Sequence, residues 1–436
     1  MAALARVEHL DAPGLRAGVD DAFARVAGRF GRREVRLRAR RCLDGLLSGL
    51  ERKTSWSLAE YAGEATPDGM QRLFTTARWD PGAVRDDLRD YVVDHLGDPD
   101  GVLVGDDTGF EKKGRCSAGV QRQYTGTAGK ITNCQIGVFL GYAGPRGRTL
   151  VDRELYLPRD SWATDPHRRI RAKIPEHVTF ATKPELLRVM IERAISAGVP
   201  FSWVTADEAY GDNGPLRRFL EDHHLNYVLA ISRDHQAITG VGRQRADTLA
   251  KTLPRSAWQR RSCGNGAKGH RWYDWALVAT TSPAHQLLIR RSITKPDELA
   301  FYLCHTTGPV ALPQLIRVAG TRWTIEECFQ TAKNEAALDH YQVRLYPAWY
   351  RYITLAMLAM AFLAVRRADL AGTEPDNSPL SDQPIPISAN EIRRLFAQLC
   401  RPPTDPHHTQ HWSRWRLRHQ TRARRCHYQR QQNQDR

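Results

Sequence analysis

The sequence predicts a mixed α/β protein with a helical N-terminal domain, an α/β core interrupted by a β-rich insertion, and a basic C-terminal arm. Three observations carry this. Apolar residues recur at helical spacing over roughly 15–95; short apolar strands begin at 102 and then alternate with helices; arginines crowd into 411–436.

In the first stretch Phe23, Val26 and Phe30, then Leu43, Leu46, Leu47 and Leu50, fall at intervals that line one face of a helix. The segment FGRREVRLRARR, residues 30–41, sets arginines beside that apolar seam. Such a strip suits phosphate contact, and equally a solvated helix face. Gly97, Asp98, Pro99, Asp100 and Gly101 gather turn formers, so the helical domain is assigned to 1–98.

Strands follow: 102–106 (VLVGD), 134–142 (CQIGVFLGY) and 150–157 (LVDRELYL), the last two joined by a hairpin turn at Gly144–Gly147. Helix then returns at 184–197, followed by a strand at 201–206, a helix at 216–222 and a strand at 227–231. Three meandering strands and then alternating helix and strand is the element order of an RNase H-like α/β core, assigned here to 99–235 and 297–370. Between them, 236–296 turns polar and turn-rich, with strands at 259–261, 272–280 and 286–293, and reads as the insertion. The core resumes with a strand at 300–304 and a long helix from about Ile325. Residues 371–389 are rich in Pro, Ser and Asp and read as a linker; 390–436 form the arm, with a short helix at 390–399.

Lys and Arg number 64 against 48 Asp and Glu, a net charge of +16, so the preferred partner is a polyanion. Charge alone does not separate DNA from RNA or acidic lipid. The most apolar run, 352–365, is shorter than the about 20 residues of a bilayer span and reads as a buried helix. The start has no basic segment followed by an apolar run and a cleavage site, which points to the cytoplasm and to no membrane partner. Eight cysteines are scattered without a C-x-x-C pair, which argues against a zinc site and against a disulfide framework.

The chemistry lies in acids at element ends. Asp106 and Asp107 end one apolar strand and Asp207 ends another. One such Asp is commonplace as a turn or cap residue. Arg322, Glu326 and Lys333, spaced by four and seven, share one face of a helix, although an Arg–Glu pair at that spacing is also a common surface contact. In combination the three acids can converge on hard divalent cations, which take oxygen ligands. Two Mg²⁺ ions roughly 4 Å apart can activate an attacking water or 3′-hydroxyl and stabilise the leaving oxygen at phosphorus. Arg322 and Lys333 are cations and suit DNA phosphates beside such a pocket.

Three stretches, GDDTGFEKKG, VTADEAYGD and RWTIEECFQTAKNEAALDHYQVR, resemble those of bacterial insertion-sequence transposases, in particular the family numbered 701 within the broader family-4 class. The resemblance runs over nearly the whole chain. It implies an RNase H-like DDE core, an insertion of β-strands between the second Asp and the Glu, and the signature Tyr-x-x-Arg-x-x-x-Glu-x-x-x-x-x-x-Lys. Arg322, Glu326 and Lys333 match that signature, while Ala319 stands at its Tyr position. It further implies a bacterial, nucleoid-associated enzyme that cuts and joins double-stranded DNA at terminal inverted repeats and in target DNA. Asp106, Asp207 and Glu326 would hold two Mg²⁺, with Mn²⁺ able to substitute. Asp106 is preferred as first acid because the family pattern resembles Asp-x-Thr; Asp107 then supports the site from beside it. A synaptic homodimer and a hairpin at the transposon end also follow from the resemblance.

Lys112, Lys113, Arg414, Arg416 and Arg418 are added as DNA contacts, with Trp412 or Trp415 against the sugar-phosphate edge. Another nuclease reading pairs Asp106 with Glu111-Lys112-Lys113; it is disfavoured because four intervening residues, with a turn expected at Thr108-Gly109, leave no room for a neighbouring strand. The non-enzymatic alternative is a catalytically silent, transposase-derived DNA-binding protein.

Overall fold

The computed structural model describes residues 10–240, 242–266, 269–371 and 386–434. Five helices open the chain: α1 (Ala12–Ala27), α2 (Arg33–Leu47), α3 (Ser55–Tyr61), α4 (Asp68–Thr75) and α5 (Pro81–Leu96). Their starts are written locally. Asp11 and Asp80 accept backbone N–H bonds at the heads of α1 and α5, each followed by a proline in the first turn, and Thr54 with Ser57 closes a capping box on α3.

Six strands and four helices come next: β1 (Val102–Glu111), β2 (Gln121–Thr125), β3 (Lys130–Gly144), β4 (Gly147–Leu155), α6 (Pro166–Ala172), α7 (Lys183–Ser196), β5 (Trp203–Ala206), α8 (Glu208–Gly211), α9 (Gly214–Asp222) and β6 (Asn226–Ile231). A small hairpin of β7 (Gln236–Thr239) and β8 (Gly242–Arg245) leads into α10 (Ala246–Thr252). Then β9 (Gln259–Gly266), β10 (Gly269–Ala279), β11 (His285–Arg291) and β12 (Leu299–His305) run in sequence. The chain ends in α11 (Leu312–Thr321), α12 (Trp323–Ala336), α13 (Tyr346–Ala371), α14 (Ala389–Leu399) and α15 (Pro406–Gln434).

One ten-stranded sheet organises the molecule, in the order β2-β3-β1-β5-β6-β12-β11-β10-β9, with β4 sharing the outer edge of β3 with β2. The strands β4, β3 and β1 are antiparallel, whereas β1, β5 and β6 are mutually parallel. A meander followed by two parallel crossovers is consistent with an RNase H-like core carrying flanking helices. Residues 236–296 supply β9, β10 and β11, which join this same sheet through β12.

Three expectations change. No turn forms at Thr108-Gly109: β1 passes straight through both residues, and Gly109 is there because a Cβ would stand 2.0 Å from the Thr125 hydroxyl. Glu111 thus lies on the same strand as Asp106 and on its opposite face. The long helix expected from about 325 is two helices, because α12 stops at Ala337 in a left-handed conformation before α13 begins. The apolar run 352–365 lies inside a 26-residue helix that is long and apolar enough to cross a membrane by composition, yet 89% of its apolar window is buried. It packs against β4 and against α1, α2, α4, α5, α12 and α14, tying the N-terminal helices to the sheet.

The C-terminal arm also differs. From 406 it is one helix whose start docks on the N-terminal helices: Trp412 is fully buried and donates to the Glu64 carbonyl, and Trp415 meets Trp56 edge-on at 4.8 Å. Trp412 is therefore unavailable to a sugar-phosphate edge. Of the linker expected at 371–389, residues 372–385 lie outside the described residues.

Candidate active site

Strand pairing brings two acids together. In the parallel pair of β1 and β5, Gly105 is level with Ala206, so the next residues, Asp106 and Asp207, emerge side by side from adjacent strands about 4.8 Å apart. There the chains diverge. β1 continues along β3, with Asp106 opposite Phe139, while β5 ends and Asp207 caps α8, accepting from Ala209 N–H at 3.0 Å. α8 can turn so tightly against the sheet because Gly211 lies under the Ala230 carbonyl, where a Cβ would come within 1.8 Å.

The faces of β1 separate Asp106 from Asp107. Thr108 accepts from Lys333 of α12 at 2.7 Å, so the face of β1 that carries Asp106 and Thr108 is turned to α12. Asp107 looks the other way, toward α7, where Lys183 contacts both its oxygens at 2.9 Å and the buried Tyr210 hydroxyl donates to it at 3.1 Å. The Asp106 carboxylate accepts from the backbone N–H of Asp107 and has no ion-pair partner among the described residues. Burial, reinforced by the neighbouring Asp207 and Asp107, pushes the Asp106 carboxyl up to about 8. Burial also raises the Asp207 carboxyl, with the charge of Asp107 adding to it. Arg322 opposes both shifts from the junction of α11 and α12.

Glu326 stands one turn into α12, where an acid is favoured by the helix dipole, and its exposed side chain is 3.4 Å from Arg322. It does not close on the two aspartates. Among the described residues no group of three or more His, Cys, Asp or Glu side chains is gathered tightly enough to hold a metal ion. Lys333 bridges α12 to β1 through Thr108 and reaches Thr127 in the β2–β3 turn at 3.3 Å. Lys112, expected at the DNA surface, is folded inward, with its ammonium 3.5 Å over the Tyr341 ring and burial lowering it to about 8; Lys113 is exposed. Arg414 and Arg418 are exposed on α15, whereas Arg416 pairs with Glu60 at 2.6 Å. In the arginine strip of α2, Arg38 pairs with Glu64 and Arg40 with Asp20 and Asp44.

Sequence reasoning passed over Lys183, which neutralises Asp107, and Tyr210, which donates a hydrogen bond to it. The Thr182-x-x-Glu185 capping box marks the start of α7, and with it the position of Lys183, but nothing local shows that this end of the helix faces β1.

A sequence profile described as "DDE superfamily endonuclease" matches residues 25–288. The chain belongs to the DDE superfamily of endonucleases. The span matched to this superfamily contains Asp106 and Asp207 and ends before Glu326. Within the superfamily the chain is related to insertion-sequence transposases. It is 27% identical over 316 residues to the "probable transposase for insertion sequence element IS701" of Microchaete diplosiphon, covering 70% of this chain and 76% of that one. Among solved structures it is similar to the piggyBac transposase synaptic complex with hairpin DNA, at a TM-score of 0.44 and 13% identity over 80% of this chain and 67% of that one.

Proposed function

We propose that this DDE-superfamily protein cleaves and joins DNA strands at the ends of an insertion sequence, with Asp106, Asp207 and Glu326 as its metal-holding acids. The observation that carries the reading is the side-by-side emergence of Asp106 and Asp207 without a cationic partner within ion-pair distance among the described residues, each carboxyl raised by burial and by neighbouring acids. Two half-buried, crowded carboxylates disfavour each other unless a cation joins them, and their hard oxygen atoms fit a divalent ion. Glu326 completes the set by leaving Arg322, a change of rotamer in a side chain that is 56% exposed.

When bound, Mg²⁺ or Mn²⁺ supplies a Lewis acid for in-line displacement at phosphorus. The protein's own groups do the rest. Arg322, freed by the departure of Glu326, and Lys333 flank the acids and neutralise backbone phosphates of the strand to be cut. Asp107, held by Lys183 and Tyr210, fixes the middle of β1 so that Asp106 faces α12. This favours Asp106 over Asp107 as the first acid. The partners are terminal-repeat and target double-stranded DNA, bound by a homodimer at the nucleoid.

The test is metal-dependent nicking of a duplex that carries the terminal inverted repeat. Cleavage that requires Mg²⁺ or Mn²⁺ supports the reading. A wild-type protein that shifts this DNA and leaves it uncut in either metal is instead the catalytically silent binder.

A further inference from the structure

Beside the acids, the sheet extension presents a cluster of cations that the fold leaves uncompensated. Trp323, the first residue of α12, is approached by three guanidinium groups: Arg290 at 4.7 Å, Arg271 at 4.8 Å and Arg322 at 5.5 Å from its ring centre. Arg290 of β11 also lies 4.5 Å over Tyr273 of β10, whose ring is parallel to that of Trp323 within 8°. Two flat aromatic faces thus hold one guanidinium.

The charge balance is lopsided. Arg322 has Glu326, whereas the Arg271 guanidinium donates, among the described residues, only to the Gly320 carbonyl, at 3.4 Å. The Arg290 side chain has neither a hydrogen bond nor an ion pair among the described residues. Its Nε and Nη1, and Nε of Arg271, are shielded from solvent and unpartnered. The nearby Asp274 is already shared by Arg260 and Arg291. A shielded, unpaired guanidinium is costly, and an arrangement that keeps one beside two other cations fits a missing anion.

We propose that Arg271 and Arg290, stacked on Trp323 and Tyr273, form a phosphodiester-binding subsite through which β10 and β11 grip the DNA backbone next to the acidic pair. The planar fork of arginine matches the oxygens of a phosphodiester, and aromatic stacking fixes its plane in advance. Because Arg322 belongs both to this cluster and to the field around Asp106 and Asp207, a strand held here is continuous with one lying across the acids. The subsite reads backbone charge and not bases. It rests on the reading of the chain as a DNA-processing enzyme, but its test requires no cleavage.

Binding of the full-length protein to a terminal-repeat duplex and to a scrambled duplex is titrated over a salt series without divalent metal, for wild type and Arg290→Met. Methionine keeps apolar bulk between the rings and removes the charge. The expected result is weaker binding to both duplexes, a log–log salt slope shallower by about 0.9 as one phosphate contact is lost, and a Tm at or above that of wild type. Unchanged affinity and slope overturn the proposal, as does a loss confined to the terminal-repeat duplex. Should Arg290→Met fail to fold, Arg271→Gln is read by the same two criteria of affinity and slope. A wild-type protein that binds DNA and never cuts it sinks the catalytic reading and leaves this subsite standing; one without DNA affinity sinks both.

Discussion

Two clusters of carboxylates withdrawn wholly or partly from solvent sit on the same sheet and are treated in opposite ways. On β4, Asp152 receives Arg85 at 2.6 Å, Arg193 at 2.9 Å and the backbone N–H of Arg153, while Glu154 takes the second arm of Arg193 and the Tyr350 hydroxyl. Burial opposes the Asp152 charge, but the three arginines outweigh it and hold the carboxyl below its ordinary range. Within β1 and at the end of β5, Asp106 and Asp207 have no such ion-pair partners among the described residues and their carboxyls are raised. The first cluster holds the fold together; the second is left short of positive charge, as the proposed cation and DNA site requires. Clustered acids therefore say little about function until their counter-ions are counted.

The sharpest way to break this contrast is by substitution at the starved site. Asp106→Ala, Asp207→Ala and Glu326→Ala should each abolish strand cleavage on a denaturing gel while leaving duplex binding intact, since the basic surfaces are untouched. Substantial cleavage by the Asp207 or Glu326 variant defeats the triad. Activity in Asp106→Ala with none in Asp107→Ala only exchanges the first acid.

The saturated cluster should respond in stability. Asp152→Ala strands buried guanidiniums and is expected to cost about 3–5 kcal/mol in urea unfolding. Asp106→Asn should be neutral or stabilising without metal. If the two variants lose equal stability, the contrast fails.

Between them lies a pH effect. The Asp106 carboxyl rises from 3.8 when unperturbed to about 8 in the fold, so over that window the native state keeps a proton that the unfolded chain has released. Its contribution to stability must then fall as pH climbs from about 4 to 8. Thermal unfolding of wild type in EDTA should show a decline across that window that is absent from Asp106→Asn, and Mg²⁺ should raise the wild-type Tm at pH 8 more than that of the variant. Equal pH profiles would exclude Asp106 as the titrating group.

The smallest effect belongs to the surface. Neutralising Arg414, Arg416, Arg418, Arg422, Arg424 and Arg425 of α15 should weaken binding to all duplexes alike and flatten the salt dependence. Arg416 should contribute least to that loss because Glu60 already holds it. An unchanged slope would remove α15 from the DNA interface.

Element order and type were legible where apolar periodicity is strong: β1, β3, β4, α7, β5, β6 and α13 were all readable as strand or helix. The strand β2 was not, because QRQYT is polar and only partly buried, and neither were the short α6, α8 and α10. The Asp106–Asp207 pair could be nominated because each acid closes an apolar run, although β1 continues through Asp106 to Glu111, and their adjacency needed the parallel register of β1 with β5.

By itself the sequence determined the mixed α/β class, the basic character of the chain, Asp207 at the end of β5 and the Arg322–Glu326–Lys333 spacing, because these depend on residue type and on spacing within one element; Asp106, expected at the end of its strand, lies inside β1. Only the tertiary structure decided which face of β1 meets α12, that Lys183 neutralises Asp107, that Lys112 and Trp412 turn inward, and that Arg271 and Arg290 converge on Trp323. Each of these is a contact between segments far apart in the chain. Its sign and strength depend on the counter-charge and the solvent exclusion that packing supplies, and no local pattern encodes either.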